Sequence, residues 1–224
     1  MIKNISNLGD AALYCDFGTE VNKQINSEVI KYFNTIKEKN IKGINNLTPS
    51  YNKLIISYDL RIINFNEIKD IIEKLNVTET LKIVNKNLEI PVCCDASFSL
   101  DMKRLEKKLN LSQEDILSNF FGKEFFCYMT GFIAGLPFLG DLDENMRVQR
   151  LETPRVKVPK GSVGITEQFA NIYTYESPGG WNIIGNTPLK LFDSSKEKDP
   201  NLINPGDTII FKQITLEEYE NYNE

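Results

Sequence analysis

The sequence predicts an α+β chain in which a helix-and-strand unit precedes an all-β unit. Three observations predict it. Residues 1–87 alternate between strand-like apolar runs and stretches with apolar residues every three or four positions. After Phe125 that helical period vanishes, and short apolar runs follow one another between turns. Residues 131–206 also hold nine of the 13 glycines, seven of the nine prolines and the single tryptophan, Trp181. Glycine opens backbone angles closed to other residues and proline freezes φ, so this segment reads as an ordered, loop-rich surface.

The elements follow in order. Residues 11–17 form a strand closed by Gly18, and Val21, Ile25, Val29, Phe33 and Ile36 then mark the apolar stripe of a helix. Residues 41–47 make a weaker strand stopped by Thr48-Pro-Ser, and 53–58 a β-rich one. Ile68, Ile71, Ile72 and Leu75 mark a second helix, with Asn64 as N-cap and Glu67 completing a capping box. Residues 81–84 return to strand. The order β-α-β-β-α-β is the split-βαβ or ferredoxin-like arrangement, assigned to residues 1–87.

The alternating run 88–92 opens the second domain, 88–224. Residues 101–109 and 112–120 read as short helices. Strands are expected at 163–166, 172–175, 181–184, 189–192 and 208–211, a spacing that suits an all-β barrel or sandwich.

Composition excludes several functions. The chain has 224 residues, 41% hydrophobic and 25% charged, as in ordinary globular proteins. Its net charge of −5, with basic residues scattered among acids, argues against nucleic-acid binding. The uncharged stretch 125–140 is shorter than the roughly 20 residues of a membrane helix and is broken by Gly and Pro. The opening Met1-Ile-Lys-Asn-Ile-Ser has no apolar core of the signal-peptide kind, so a cytoplasmic location is expected. The chain has no histidine, which removes His bases, His triads and His metal ligands. Cys15, Cys93, Cys94 and Cys127 lack metal or redox spacing and are expected to be buried thiols, with no metal site.

Three ordered blocks carry a resemblance. They are Gly131-Phe-Ile-Ala-Gly-Leu-Pro-Phe-Leu-Gly140, Thr153-Pro-Arg-Val-Lys-Val-Pro-Lys-Gly-Ser162 with Val163, and Ser177-Pro-Gly-Gly-Trp-Asn-Ile-Ile-Gly185 running on to Leu189. With Gly9-Asp10-Ala-Ala-Leu13 near the start, they resemble the family of the B subunit of 5-oxoprolinase, also called allophanate hydrolase subunit 1. That family includes an inhibitor of a sporulation histidine kinase and is similar to part of the carboxyltransferase domain of urea amidolyase. The resemblance implies an N-terminal α/β domain followed by a cyclophilin-like β-barrel. It also implies partner subunits of the A and C types, which together open the lactam of 5-oxoproline to glutamate at the expense of ATP. The ATP, with Mg²⁺, is expected on this chain or on a partner. The chain departs from the family pattern at Ala134, Leu136, Phe138, Asn186 and the run Glu167-Gln-Phe-Ala170. Phe120 falls where many members have histidine.

Within these blocks each candidate has a plainer alternative. Arg155 offers a planar fork for a carboxylate or phosphate, or else a structural ion pair. Lys157 and Lys160 are further anion candidates. Ser177, Gly179 and Gly180 would present backbone N–H groups to developing charge, or simply form a tight turn. Gln168 would hydrogen-bond a lactam, or lie in a surface loop. Phe132, Gly135, Phe138 and Trp181 would line a pocket or interface, or pack as core. Glu176 is the best-placed carboxylate for a general base. Asp141, Asp143 and Glu144 would bind Mg²⁺ or be a solvated turn. Tyr173 and Tyr175 read as one face of a strand. Two rival functions remain at this level: a histidine-kinase inhibitor gripping a helix through Phe132, Phe138 and Trp181, and a subunit for allophanate or urea chemistry.

Overall fold

A computed structural model describes residues 2–77, 85–196 and 198–222. Its contacts separate the chain into two units, Met1–Val84 and Asn85–Glu224. In the first, two strands, β1 (Asn4–Asn7) and β2 (Ala12–Asp16), precede α1 (Lys23–Lys39), followed by β3 (Ile44–Pro49), β4 (Lys53–Tyr58) and α2 (Phe65–Glu73). Leu13 and Cys15 of β2 and Leu54, Ile56 and Tyr58 of β4 are buried, while their neighbours are half-exposed. This period of two places one sheet face on the core. Val29 and Ile36 of α1 and Ile68 and Ile72 of α2 meet that face. Each buried isoleucine contributes about 1.5–3 kcal/mol.

The α2 N-terminus has the capping box expected from Asn64 and Glu67. The strands are antiparallel in the order β1-β2-β4-β3. Here the sequence reading needs correction, because it missed β1. That strand carries one apolar residue, Ile5, too few to show alternation. It pairs beside β2, on the side where the last strand of a βαββαβ unit would sit. The expected strand 81–84 lies outside the described residues.

The second unit begins with β5 (Asn87–Cys93), α3 (Met102–Leu109), α4 (Gln113–Phe121), β6 (Glu124–Thr130) and β7 (Pro137–Gly140). It continues with β8 (Arg155–Val158), β9 (Ser162–Thr166), β10 (Phe169–Ile172), β11 (Ser177–Gly179), β12 (Asn182–Asn186), β13 (Thr208–Ile214) and α5 (Leu216–Glu220). Seven strands close a mixed barrel in the order β10-β7-β6-β13-β5-β12-β9, with β5 and β13 parallel. The chain is therefore α+β, with a barrel rather than a sandwich in its second unit. Val92, Cys127, Leu139, Val163, Ile165, Ala170, Ile172, Ile184 and Phe211 belong to one buried cluster, the barrel interior. Phe120 of α4 joins it, stacked on Phe211 at 4.7 Å.

Alternation then turns Phe138, Gly164, Asn171, Tyr173 and Ile183 to the barrel's outer face. There Leu136, Val158, Tyr173 and Ile183 form a separate small core. Strands β8 and β11 make a two-stranded ribbon, and Val158 of that ribbon belongs to this core. Two expected strands differ. The run 172–175 is displaced, since β10 starts at Phe169 and ends at Ile172; Glu167, at φ 47°, and Gln168 form the hairpin turn before it. The run 189–192 yields only a bridge from Phe192 to Asn201. Pro188 and Pro200 flank these residues, and proline limits ladder formation.

Candidate functional site

The ribbon brings several candidates together. Its register sets Gly179 opposite Arg155 and Ser177 opposite Val158. Arg155 does not point freely into solvent. Its Nη2 donates to Asp101 Oδ1 at 2.6 Å, and Asp101 Oδ2 accepts the backbone N–H of Ile183 at 2.7 Å. Asp101, only 5% exposed, thereby fixes the guanidinium on the outer wall of the barrel. Charge-assisted bonds of this kind are among the stronger ones in proteins. The ion-pair alternative for Arg155 thus holds for one half of its fork. Nη1, the other half, is buried and has no hydrogen-bond partner.

Next to it, Tyr173 is buried, and its phenolic oxygen occupies the space that any side chain at residue 179 would need. Only glycine fits there. The Asn171 amide and the Trp181 backbone N–H face this oxygen, and the Arg155 charge acts on it. Burial is the stronger influence and pushes the Tyr173 pKa up. Asn171 Oδ1 lies against Gly164, 2.8 Å from a Cβ added there, and has no hydrogen-bond partner. Ser177 Oγ is likewise buried and unpartnered. Trp181 meets Phe138 edge-on with ring centroids 5.6 Å apart.

Other candidates fall elsewhere. Glu176 is exposed and pairs with Lys157 at 2.9 Å, which raises the lysine pKa. The Lys160 side chain is exposed, and its carbonyl accepts from Asn186 Nδ2. Gln168 donates to Asp141 Oδ1 at 3.2 Å, beside Tyr128, which donates to the same carboxylate at 2.9 Å. Burial and Asp141 push the Tyr128 phenol upward. Asp143 instead pairs with Lys123 at 2.6 Å. Phe132 is 71% exposed on left-handed backbone at φ 71°. Gly135, at φ 72°, packs on Phe192. Phe120 is fully buried core.

The four cysteines are buried thiols, and burial pushes Cys15 and Cys94 up to about 12. Sequence reasoning missed Asp101, Asn171 and the role of Tyr173. Asp101 stands at the start of α3, where it reads as a helix cap. It makes no side-chain cap hydrogen bond there and serves Arg155 and β12 instead.

The site therefore offers a guanidinium donor, an amide oxygen and a phenol beneath a glycine strand. Groups of these types can hydrogen-bond anions and amides. The family model for the carboxyltransferase domain, subdomain C and D, matches residues 3–203. The chain belongs to this family. Among its relatives, the 5-oxoprolinase B subunit of Bacillus subtilis (strain 168) is 33% identical, over 98% of this chain and 96% of its own length. The protein of the same name from Haemophilus influenzae is 30% identical, over 93% and 96%. Among solved structures, TTHA0988 matches with a TM-score of 0.82 at 27% identity, covering 91% of this chain. This chain spans 40% of that one.

Proposed function

We propose that the chain is the B subunit of an ATP-dependent 5-oxoprolinase and helps to hydrolyse 5-oxo-L-proline to L-glutamate with partner subunits of the A and C types. The observation that carries this reading is the 33% identity to a 5-oxoprolinase B subunit across nearly the full length of both chains. In this reading Arg155, fixed by Asp101, holds the substrate carboxylate or a phosphate. The Gly179 and Gly180 amides face the charge that develops as the lactam opens. Phe132, 71% exposed, and Trp181 with Phe138 lie on the side that meets a partner subunit.

Asp141 and Asp143 engage different partners rather than one shared site. The reading includes ATP with Mg²⁺, held on this chain or on a partner subunit. The reading extends to a ferredoxin-like first domain (1–87), a cyclophilin-like barrel domain (88–224), a hetero-oligomeric assembly and a cytoplasmic location. Urea amidolyase chemistry rests on a weaker likeness, 21% identity, and ranks below it.

The test is to mix the purified chain with its cognate A and C subunits and follow glutamate release with and without ATP. Turnover that needs all three subunits supports the reading. Inhibition of a histidine kinase without turnover would replace it.

A further inference from the structure

In the first unit a cavity of about 330 Å³ opens between the last turns of α1 and strand β3. That volume lies at the small end of ligand pockets, which run from about 300 to 1,000 Å³. Phe33, Ile36, Lys37 and Asn40, one i, i+3, i+4, i+7 stripe of α1, line one wall, and residues 44–47 of β3 line the other. Among the described residues β3 is an edge strand, paired with β4 alone. The Ser50 N–H donates to the Lys53 carbonyl. Antiparallel pairs alternate, so Asn46 and Thr48 also face β4, opposite Ser57 and Ile55, whereas Leu47 turns its N–H and C=O to the open side. A charged residue often guards an open edge, and β3 has none; a bulge at Asn45 and Pro49 bound its free stretch.

The rim is basic. Residues 37–42 carry three lysines against one acid, Glu38, in a chain whose net charge is −5. Lys37, Lys39 and Lys42 are exposed, and none has a carboxylate partner among the described residues. Lys37 Nζ lies 5.8 Å from the centroid of the Phe33 ring, at the cavity wall. Lys37 and Lys39 suit the negative end of the helix dipole, but Lys42 stands beyond the Asn40 cap. Two copies of this edge would set lysines against lysines, so the rim selects an acidic partner rather than a second copy of the chain.

We propose that this groove takes an extended acidic segment of a partner protein, which adds a strand along β3, drops an apolar side chain into the cavity and sets carboxylates against Lys37 and Lys42. Main-chain bonds to Leu47 supply affinity, and the apolar cavity with its lysines selects the sequence. The Asn40 and Asn45 amides at the mouth both donate and accept, as peptide groups require. The proposal stands apart from the lactam reading, whose site residues all belong to the second unit.

The probe is a fluorescently labelled peptide of alternating glutamate and valine. Its controls are the lysine–valine counterpart and the same acidic peptide N-methylated along its centre, which cannot pair as a strand. Anisotropy with the full chain reads the affinities. The acidic peptide should bind at least about tenfold tighter than either control. Lys37→Glu with Lys42→Glu should reverse the charge preference, whereas Lys107→Glu with Lys108→Glu, exposed on α3, should leave it unchanged. Leu47→Pro, which deletes the open-edge N–H and no bond to β4, should abolish binding, and Leu47→Val should hold it within about threefold. Equal affinity for the acidic peptide and either control overturns the proposal, as does no binding at about 1 mM. A dimer of the chain in sedimentation that Leu47→Pro dissolves also overturns it, by giving the edge to a second copy. If Leu47→Pro does not fold, the N-methylated peptide decides.

Discussion

Removing Asp101 is the sharpest perturbation of the outer-wall site. In Asp101→Ala the Ile183 N–H loses its acceptor, which costs about 1–3 kcal/mol for a buried donor. The Arg155 guanidinium also loses its counter-charge. A fully buried pair broken in this way costs about 3–5 kcal/mol. Arg155 is 26% exposed, so water recovers part of that loss. The two effects together should lower stability by about 3 kcal/mol. Asp101→Asn keeps the shape and one acceptor and should cost about half as much. Urea unfolding followed by the fluorescence of Trp181, the only tryptophan, reports from within the site. A cycle with Arg155→Ala should give a coupling of about 1–2 kcal/mol, as contacting charged residues do. A loss below about 1 kcal/mol, or strictly additive single effects, would refute the claim that Asp101 anchors Arg155.

Three further outcomes follow from the same geometry. Gly164→Ala drives a Cβ to 2.8 Å from Asn171 Oδ1 and 3.0 Å from Trp181 Cβ; it should cost about 1–3 kcal/mol and shift the Trp181 emission. The four buried thiols, with Cys15 and Cys94 raised to about 12, should resist Ellman's reagent at about pH 8 until urea unfolds the chain. The hydrogen bond from Lys53, 2.6 Å away, holds the Asp16 carboxyl below its usual value. Its folded pKa is depressed, so its contribution to stability is present above the unfolded value of about 4 and fades as the pH falls below it. Asp16→Asn should flatten that part of the acid-unfolding profile of the first unit.

Much of the architecture was legible because burial imposes a period. The stripes at Val29 and Ile36 and at Ile68 and Ile72, the β-rich run 53–58 and the alternation in residues 88–92 each mark a face packed on a core. The capping box at Asn64 was legible for a local reason, since both halves lie within four residues. Strand β1 was not, because a single apolar residue carries no period. The displaced β10 shows a different limit. Its outward residues Phe169 and Asn171, and Tyr173 just after it, are themselves packed, so burial on both faces hid the hairpin turn at Glu167 and Gln168. In the site, Arg155, Gly179 and Trp181 stood out through their glycine and proline setting. Asp101 and Asn171 did not, since their roles come from residues 54 and seven positions away in sequence, across the barrel wall.

The central claim is that this chain is a working part of a lactam-opening enzyme. Its most direct test is complementation. The chain is titrated into fixed amounts of its cognate A and C subunits with ATP and 5-oxo-L-proline, and glutamate is measured. Glutamate formation should rise with added chain and level off at a fixed ratio of subunits, and Arg155→Ala should depress it sharply. Glutamate formation that is the same with and without the chain would contradict the account.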